Sequence, residues 1–320
     1  MTMYIHNILY ISLLGLFTFS SCDSFINKNE LWEFDYRLFR DTPAWKLAEA
    51  ANDGDTLEMG SILKSNPSLI DYQEPTYGRT LLMMCILNQR RVTFPFSIIS
   101  NTGFDGPFNK GQKNVFDFLL KHGASVNIVS KIDGVTAMLL ACFSDSYNID
   151  FVRALLQSGA DVNYVQPFYN SFHENDNRTA LLNAVKCNKM ELVKLLVEHG
   201  ADINFINAYN KSPLSESISS DGLDITMYLL YHGADYKLPV STIGENEIEN
   251  SEDTTKITLV EQLRYFTFPI NSDSYNKKKK IIAFLKQGGI DYKQTKIPNC
   301  IIEYAKREYP KTWHEYLMKY

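Results

Sequence analysis

VEHGADINFINAYNKSPL, residues 197–214, is the stretch of sequence that decides the fold. An apolar run ends at Gly200, a short arm follows, the chain turns near Asn210, and Ser212 opens a new segment. Ser212 is suited to cap the start of a helix, and Pro213 is suited to its first turn. The stretch therefore predicts a helix end, a turn and a helix start in close succession.

The same order of features recurs along the chain. An apolar run at helical spacing precedes each of five glycines, as LVKLLVE does before Gly200. From Thr179 to Gly200 is 21 residues and from Gly200 to Ser212 is 12, which gives a repeat of about 33 residues. The glycines of this register are Gly123, Gly159, Gly200, Gly233 and Gly289.

The recurring segments resemble those of ankyrin repeats. GVTAMLLA at 134–141 is similar to the family's G-x-TPLHxA segment, and LVKLLVEHGADIN at 192–204 is similar to its LLxxGADVN segment. The resemblance covers nearly all of residues 41–320 and implies an all-α solenoid of helix-turn-helix units with short β-hairpin fingers. No single unit can bury its apolar face alone, so the units stack. We expect about seven units, near 42–75, 76–129, 130–174, 175–207, 208–250, 251–294 and 295–320.

Individual positions of the repeat have expected backbone or packing roles. Glycine at a helix end permits the left-handed backbone that terminates the helix, and we expect Asn66 to take this role in the first unit. Hydroxyls at the start of the first helices act as caps, and small residues five positions later let neighbouring helices approach closely. The expected finger-turn residues with positive φ are Gly78, Gly134, Asn177 and Asn210; the caps are Thr80, Thr136, Thr179 and Ser212; the small residues are Cys85, Ala141, Ala184 and Ser217.

The N-terminus predicts export and lipid attachment. Residues 1–21 form an expected signal peptide whose apolar stretch, 5–19, is shorter than the ~20 residues of a membrane-spanning helix. FSSC at 19–22 resembles a bacterial lipobox, which implies a diacylglyceride on Cys22, although its Phe stands where the motif usually has Leu. The alternatives are an uncleaved anchor and a secretion signal followed by a chance cysteine. We expect a lipidated tether over 22–40 that holds the chain to a membrane of the cell envelope, on its periplasmic or surface side.

Insertions interrupt the repeat spacing at 92–112, 164–176 and 240–256. Such insertions map to loops on the edge of a solenoid and often onto its binding face. The aromatic 164–176 finger is suited either to contact a partner or to fold back over the adjacent repeat as a local cap, and the 92–112 loop has the same two alternatives. The lysines Lys277–Lys280 are expected to form the solvated start of a helix; because they oppose the helix dipole there, a contact with an acidic group is the alternative.

The sequence offers no catalytic or metal-binding constellation. Three histidines precede stop glycines, but equivalent positions in successive repeats lie roughly a helix diameter apart, whereas zinc ligands converge within ~2 Å of one ion. We expect these histidines to donate to free carbonyls at their helix ends. The histidines are His122, His199 and His232.

The spacing of the cysteines and the net charge of the chain argue against further kinds of site and partner. Cys85, Cys142, Cys187 and Cys300 have no CxxC spacing and are expected to be buried free thiols. The net charge of −5 and the pI of about 5.7 favour neither nucleic acid nor an anionic membrane surface as a partner.

A monomeric, non-enzymatic scaffold that binds a protein partner and needs no cofactor is the function that these features favour. The alternative is an inhibitor, immunity or accessory protein that binds one specific enzyme in the cell envelope. Exposed aromatic and apolar side chains on the fingers are typical of protein contacts. The expected partner-binding residues are Tyr77, Ile132, Tyr164, Phe168, Tyr169, Phe172, Phe205, Ile206 and Tyr209.

Overall fold

The structure is a computed structural model that describes residues 35–88, 110–143, 148–167, 177–219, 222–238, 241–242 and 256–319. The helices of these residues are α1 Trp45–Asp53, α2 Thr56–Ser65, α3 Leu81–Asn88, α4 Lys110–Lys121, α5 Ala137–Cys142, α6 Ile149–Gln157, α7 Ala180–Lys186, α8 Met190–Glu198, α9 Pro213–Ser219, α10 Leu223–Tyr231, α11 Leu259–Leu263, α12 Asp273–Gln287, α13 Asn299–Glu308 and α14 Trp313–Lys319. Short 3-10 helices span Tyr36–Phe39, Pro67–Asp71 and Tyr292–Gln294.

The helices pack as consecutive pairs, and the pairs stack in line. Helix α1 contacts α2, α3 contacts α4, and the same pairing holds for α5 with α6, α7 with α8 and α9 with α10. The first helices α3, α5, α7 and α9 contact one another in that order, while α8, α10 and α12 do so among the second helices. This arrangement is an all-α repeat solenoid, which confirms the predicted fold class.

One continuous core runs through the stack from the first pair to α12 and the 3-10 helix at Tyr292. The predicted small residues lie inside it, because Cys85, Ala184 and Ser217 are fully buried and Ala141 is 5% exposed. Short side chains at these contacts let the first helices approach closely. The pair α13–α14 has its own cluster around Ile301, Ala305 and Tyr316.

Hydroxyl groups cap the first helices as predicted. The hydroxyl oxygen accepts a hydrogen bond from the backbone amide three residues later, which satisfies one of the free amides of the first turn. In the sixth unit, Thr258 takes this position and closes a reciprocal capping box with Glu261. The hydroxyl-to-amide distances are 3.4 Å at Thr80, 3.3 Å at Thr136, 3.2 Å at Thr179 and 3.1 Å at Ser212.

Left-handed backbone occurs at the predicted glycines but not at Asn66. Asn66 has φ −144°, and the positive φ of the first unit lies instead at Gly54, which ends α1. The physical reason is Pro67, because its ring pushes the preceding residue towards extended backbone. The predicted positive φ values are 86° at Gly123, 82° at Gly159, 84° at Gly200, 92° at Gly233, 85° at Gly289, 74° at Gly78, 63° at Gly134, 52° at Asn177 and 57° at Asn210.

The fingers are turns closed by a backbone hydrogen bond rather than pairs of strands. The amide of Glu74 donates to the carbonyl of Arg79 at 2.9 Å, and Ser130 donates to Val135 at 2.9 Å. Within the described residues, strands occur only at β1 Ser241–Thr242 and β2 Lys256–Ile257, which pair antiparallel. One backbone hydrogen bond fixes the turn, whereas a pair of strands would need a longer segment on each side of the turn.

A row of asparagines links each finger to the next unit. The side-chain nitrogen of Asn127 donates to the Gly159 carbonyl at 3.0 Å, and its side-chain oxygen accepts from the backbone amide of Asp161 at 2.8 Å. Asn163 makes the same two bonds one unit later, and Asn204 makes them again to the carbonyl of Gly233 and the amide of Asp235. The asparagine of the HGADIN-type segments therefore carries a contact between units.

The prediction of a solvated helix start at Lys277–Lys280 is wrong for Lys278, and Lys277 makes the acidic contact that was the alternative. Helix α12 begins at Asp273, and its inward face carries Lys278, which is 2% exposed and donates to the Phe266 carbonyl at 3.0 Å. Lys278 lies one helical turn before the fully buried Ile281, so helix periodicity places it inside. Lys277 lies 2.7 Å from carboxylates of Asp224 and Asp273.

The expectation of buried thiols holds for two of the four cysteines in the described residues. Cys85 and Cys142 are buried, and burial raises the pKa of each thiol to about 12. Cys187 is half-buried and follows the end of α7, whereas Cys300 is exposed near the start of α13. The last two positions lie at helix ends, where the side chain leaves the buried face.

Several sequence-based expectations fall outside the described residues. These are the signal peptide at 1–21, lipidation of Cys22, the tether up to residue 34, most of the 92–112 and 240–256 insertions, and the finger residues Phe168, Tyr169 and Phe172. None of the described helices combines the length and the apolar character that a bilayer span requires.

Candidate functional site

The finger of the second unit is held by the buried carboxylate of Glu74. Its two oxygens accept hydrogen bonds from the backbone amides of Thr76, Tyr77 and Arg79, at 2.6, 2.8 and 2.8 Å. Glu74 is fully buried, so these charge-assisted bonds replace the water that the carboxylate loses. The turn that carries Tyr77 is therefore fixed before any partner arrives.

An ion pair ties this finger to the next one. The Arg79 guanidinium donates to both oxygens of Asp133, at 2.9 and 2.6 Å, and the Ser130 hydroxyl donates to the same carboxylate. Burial alone would raise the pKa of Asp133, but the hydrogen bonds from Arg79 and Ser130 outweigh it and hold this pKa below its ordinary value. The carboxylate therefore stays ionised at neutral pH.

Backbone contacts bring the second and third fingers together. The Lys131 amide donates to the Tyr77 carbonyl at 3.1 Å, and the Gln73 side-chain amide bridges the carbonyls of Gly78 and Val129 at 2.8 Å each. A Cβ atom at Gly78 would lie 2.6 Å from the Lys131 nitrogen, closer than real contacts allow. Gly78 is thus required both by its positive φ and by the neighbouring finger.

The third and fourth fingers are joined in a similar way. The Tyr164 hydroxyl donates to the Gly134 carbonyl at 2.8 Å, and the Gln166 side-chain amide donates to the Asp133 carbonyl at 2.7 Å. Burial raises the pKa of Tyr164, in keeping with its half-buried position. Tyr164 was expected to bind a partner, and the structure places its hydroxyl in a contact between fingers.

The fifth finger uses an amide where the second uses a carboxylate. The side-chain oxygen of Asn207 accepts from the amides of Tyr209 and Lys211 at 3.0 and 2.9 Å, and Asn207 is 6% exposed. This bonding fixes the turn at Asn210, whose φ is 57°. Tyr209 is presented from a turn that is already ordered.

The tips of the fingers expose apolar side chains to solvent. Ile132 is 46% exposed, Ile206 is 38% exposed and Tyr209 is 50% exposed, whereas Tyr77 and Phe205 are half-buried. These five expected contact residues lie on the finger loops, three of them well exposed. Val129, 39% exposed beside the third finger, belongs with them and was missed, because a lone valine in a loop carries no signal.

A small polar pocket lies where the fingers meet the first helices. It is a depression of about 10 Å³, the space of roughly one water molecule. Sequence reasoning did not identify it, because its walls come from two successive units. The residues around it are Arg178, Leu182, Asn183, Lys186, Asn207 and Glu216.

The helix-end histidines donate to backbone carbonyls as predicted. The Nδ1 atoms of His122, His199 and His232 lie 2.8, 2.8 and 2.7 Å from the carbonyl oxygens four residues earlier. These bonds satisfy carbonyls that the helix end leaves free. Among the described residues, His, Cys, Asp and Glu form no group of three or more that could hold a metal ion.

Comparison with known families recognises the same repeats. A model described as "Ankyrin repeats (3 copies)" matches residues 165–239, and one described as "Ankyrin repeat" matches residues 133–166. Together the two matches cover about a third of the chain, from the third finger to beyond the fifth.

Curated relatives also carry these repeats. The chain is 30% identical over 142 residues to an ankyrin repeat protein of Fowlpox virus, which covers 44% of this chain and 33% of that protein. It is 26% identical over 205 residues to the ankyrin repeat and KH domain-containing protein mask-1 of Caenorhabditis elegans, covering 61% of this chain and 7% of that protein. An ankyrin repeat protein of Acanthamoeba polyphaga mimivirus is 34% identical over 102 residues, which is 31% of this chain and 58% of that protein.

In each of these relatives the chain spans less than two thirds of the other protein's length. The likeness therefore concerns the repeats and not the whole of any relative. Ankyrin repeats are generally protein-interaction modules, and stacked solenoids offer extended binding surfaces. Residues 133–239 match models of ankyrin repeats, and the described residues fold as an all-α repeat solenoid.

Proposed function

We propose that this protein is a scaffold, anchored to a cell-envelope membrane by a lipid on Cys22, that binds a protein partner along its row of fingers. The observation that carries the partner-binding role is the exposure of Ile132, Ile206 and Tyr209 on finger turns that are already fixed by their own side-chain hydrogen bonds. An apolar contact surface that is ordered before binding loses little conformational entropy when a partner docks.

The spacing of the exposed tips supports an extended interface. Ile132 lies on the third finger, while Ile206 and Tyr209 lie on the fifth, so a partner that contacts both reaches over more than one unit. The hydrogen bonds from Lys131 to Tyr77 and from Tyr164 to Gly134 join the second, third and fourth fingers. Aromatic and aliphatic anchors at such positions carry most of the energy of a protein interface.

Membrane attachment is supported by the sequence before the repeats. The lipobox-like FSSC at 19–22 supplies the cysteine, and the residues between Cys22 and the buried 3-10 helix at Tyr36–Phe39 supply the reach. Two acyl chains give stable anchoring, whereas one chain gives only marginal binding. The proposal places the solenoid on the periplasmic or surface side of the envelope.

Crosslinked capture from native membranes tests both parts of the proposal. The finger variant replaces Ile132, Ile206 and Tyr209 with Ser, and it should capture at least about tenfold less partner while its melting temperature stays close to that of wild type. The Cys22→Ser variant should no longer be found in the membrane fraction and should fail to take up labelled fatty acid. Equal capture by the finger variant would contradict the binding surface, and unchanged fatty-acid labelling of Cys22→Ser would contradict the anchor.

A control uses apolar side chains that are even more exposed but lie away from the fingers. Leu57, Tyr231 and Met318 are 87, 68 and 76% exposed on α2, α10 and α14. Their replacement by Ser should leave capture unchanged. Recovery of one enzyme in a stoichiometric complex would favour the alternative role as an inhibitor or accessory protein, whereas recovery of structural envelope proteins would favour the scaffold.

A further inference from the structure

Positive charge is concentrated in the sixth and seventh units. Residues 277–320 contain eleven lysines and arginines against four aspartates and glutamates, which gives this part of the chain a net charge of +7. Since the whole chain carries −5, residues 1–276 carry −12. The overall charge therefore hides two regions of opposite sign, and an asymmetry of this kind indicates an anionic partner for the basic region.

The solvent-facing side of α12 is basic and carries no carboxylate. The exposed residues that follow Asp273 on this helix recur at three- and four-residue spacing, so they occupy about a third of its circumference. They are Asn276, Lys279, Lys280, Ala283, Lys286 and Gln287. The three lysines form no ion pair with a residue that the structure describes, whereas Lys277 engages the carboxylates of Asp224 and Asp273. Three positive charges are therefore directed at solvent.

Helix α14 extends this basic surface. The hydroxyl of Tyr275 on α12 donates to the Lys319 carbonyl at 2.9 Å, and the Lys279 nitrogen lies 5.7 Å from the centre of the Tyr275 ring. Lys319 is exposed, and Met318 before it is 76% exposed. The two helices thus bring lysines together beside an exposed apolar side chain. The α12–α14 face consists of Lys279, Lys280, Lys286, Met318 and Lys319.

An exposed aromatic side chain borders this face. Tyr231 on α10 is 68% exposed, and its ring meets that of Phe284 edge-on at 5.3 Å. Phe284 lies one helical turn after Lys280, so aromatic and cationic groups are neighbours here. Lysines mixed with exposed aromatic and apolar groups are typical of proteins that lie in a membrane interface. The cationic groups of the face are all lysines, whereas recognition of nucleic acid favours arginine, so these features favour a lipid surface.

We propose that the α12–α14 face binds the anionic phospholipid surface of a membrane. The lysine ammonium groups lie at the level of the phosphates, and Met318 and Tyr231 contact the boundary between headgroups and acyl chains. This inference goes beyond the proposed function, since it needs neither the lipid on Cys22 nor a protein partner. With that lipid, the two attachments lie at different ends of the stack and hold the solenoid along the membrane.

Lysine footprinting of the full chain tests the proposal. An amine-reactive reagent is applied in the presence of vesicles of equal parts phosphatidylglycerol and phosphatidylcholine, and again with phosphatidylcholine alone. Lys279, Lys280, Lys286 and Lys319 should react about fivefold more slowly with the anionic vesicles, the factor that the attraction of one lysine to an anionic surface gives. About 1 M salt should abolish this protection, because it screens charges beyond ~3 Å. Equal reactivity with both kinds of vesicle would overturn the proposal.

Lysines elsewhere in the stack serve as matched controls. Lys64, Lys121 and Lys194 are exposed on α2, α4 and α8, which are second helices of their pairs as α12 is. Their reactivity should be the same with both kinds of vesicle, and protection equal to that of the α12–α14 face would overturn the proposal. Replacement of the three α12 lysines by Gln should abolish protection of Lys319, whereas replacement of the three controls by Gln should preserve it; the opposite result would contradict a contact through this face.

Methionine oxidation and a DNA duplex separate a lipid surface from other polyanions. Peroxide converts an accessible methionine to its sulfoxide. Met318 should be oxidised about threefold more slowly with the anionic vesicles than with the neutral ones, because its side chain leaves water. A DNA duplex of random sequence at the same salt should protect neither Met318 nor the lysines of the face. Protection by the duplex that equals protection by the vesicles would assign the face to nucleic acid and overturn the proposal.

These outcomes remain distinct from a failure of the proposed function. Protection of the α12–α14 face in a chain that takes up no fatty acid would contradict the anchor on Cys22 and support the face. Fatty-acid labelling of a chain whose lysines react equally with both kinds of vesicle would support the anchor and contradict the face.

Discussion

Asn163 joins its own unit to the next through both ends of its side-chain amide. The nitrogen donates to the Gly200 carbonyl at 3.0 Å, and the oxygen accepts from the Asp202 amide at 2.7 Å. The Gly200 carbonyl and the Asp202 amide belong to the residues just after the end of α8. Helix geometry leaves backbone groups at a helix end without partners. The asparagine row thus closes the ends of α6, α8 and α10 with a side chain from the preceding unit.

Asn163→Ala should lower the free energy of unfolding by about 1 kcal/mol, because two partly exposed hydrogen bonds are lost and water replaces them in part. The midpoint of urea denaturation measures this loss. Lys194→Ala, at an exposed position on the neighbouring helix α8, serves as the control and should leave the midpoint nearly unchanged. An equal effect of both substitutions would contradict a role for Asn163 between units.

Asp133→Ala should cost more stability than Arg79→Met, although both remove the same ion pair. The Arg79 side chain is 1% exposed and would lose the carboxylate that it contacts through two nitrogens, whereas Asp133 is 36% exposed and can be hydrated when Arg79 is absent. Urea denaturation of the two variants at neutral pH gives the order. A larger loss for Arg79→Met would contradict this account of the pair.

The ion pair also predicts acid sensitivity. Although burial opposes it, the hydrogen bonds from Arg79 and Ser130 lower the pKa of Asp133 in the folded protein. Its contribution to stability is therefore fully present above the ordinary aspartate pKa of 3.8 and is lost as pH falls through the lower folded value. Asp133→Asn should remove that part of the acid dependence, which denaturation at several acidic pH values would show.

Lys278 predicts a pH dependence of the same sign in a higher pH range. Burial first, and the charge of Arg264 second, lower its pKa from 10.5 to about 6. Between these values the unfolded chain binds the proton and the folded chain does not, so the free energy of unfolding rises with pH and falls as pH drops towards 6. The slope of one such group is at most about 1.4 kcal/mol per pH unit.

Two variants on α12 show whether Lys278 causes this dependence of stability on pH. Lys278→Met should flatten the dependence of stability on pH between about pH 7 and pH 9, because the titrating group is gone. Lys279→Met changes an exposed lysine of the same helix and should keep the wild-type slope. A slope that persists in Lys278→Met would show that another group titrates.

Two glycines with similar backbone geometry should respond differently to replacement by alanine. Gly78 and Gly200 have φ of +74° and +84°, but an added Cβ atom meets the Lys131 nitrogen at 2.6 Å in the first case and nothing within 4 Å in the second. Gly200→Ala should cost about 1–2 kcal/mol from backbone strain alone. Gly78→Ala should cost more, since the fingers must also separate. Thermal melting compares the two variants, and equal losses would contradict close finger packing.

Local chemistry made much of the fold predictable from sequence. The caps at Thr136 and Thr179 and the left-handed glycines at Gly159 and Gly200 depend on the residue itself and its nearest neighbours, so a repeated pattern shows them. Asn66 was assigned wrongly because the repeat register outweighed a local signal, namely Pro67 directly after it.

Contacts between units were less predictable. Asn163 recurs visibly in the sequence, but its partner Gly200 is known only once the units are stacked. Asn183 and Glu216 come from different units and meet only in the folded chain. Lys278 looked solvated because it stands in a run of lysines, although the period of α12 turns it inward. Exposure of Ile132 or Tyr209 could be expected, while the buried bonds that fix their turns could not.

Hydrogen–deuterium exchange of the full chain, free and with its captured partner, tests the central claim most directly. The account predicts that binding slows exchange at the finger turns around Ile132 and around Ile206 and Tyr209, and leaves α10 around Tyr231 unchanged. Protection confined to α10 or to the other second helices, with the finger turns unaffected, would contradict the account.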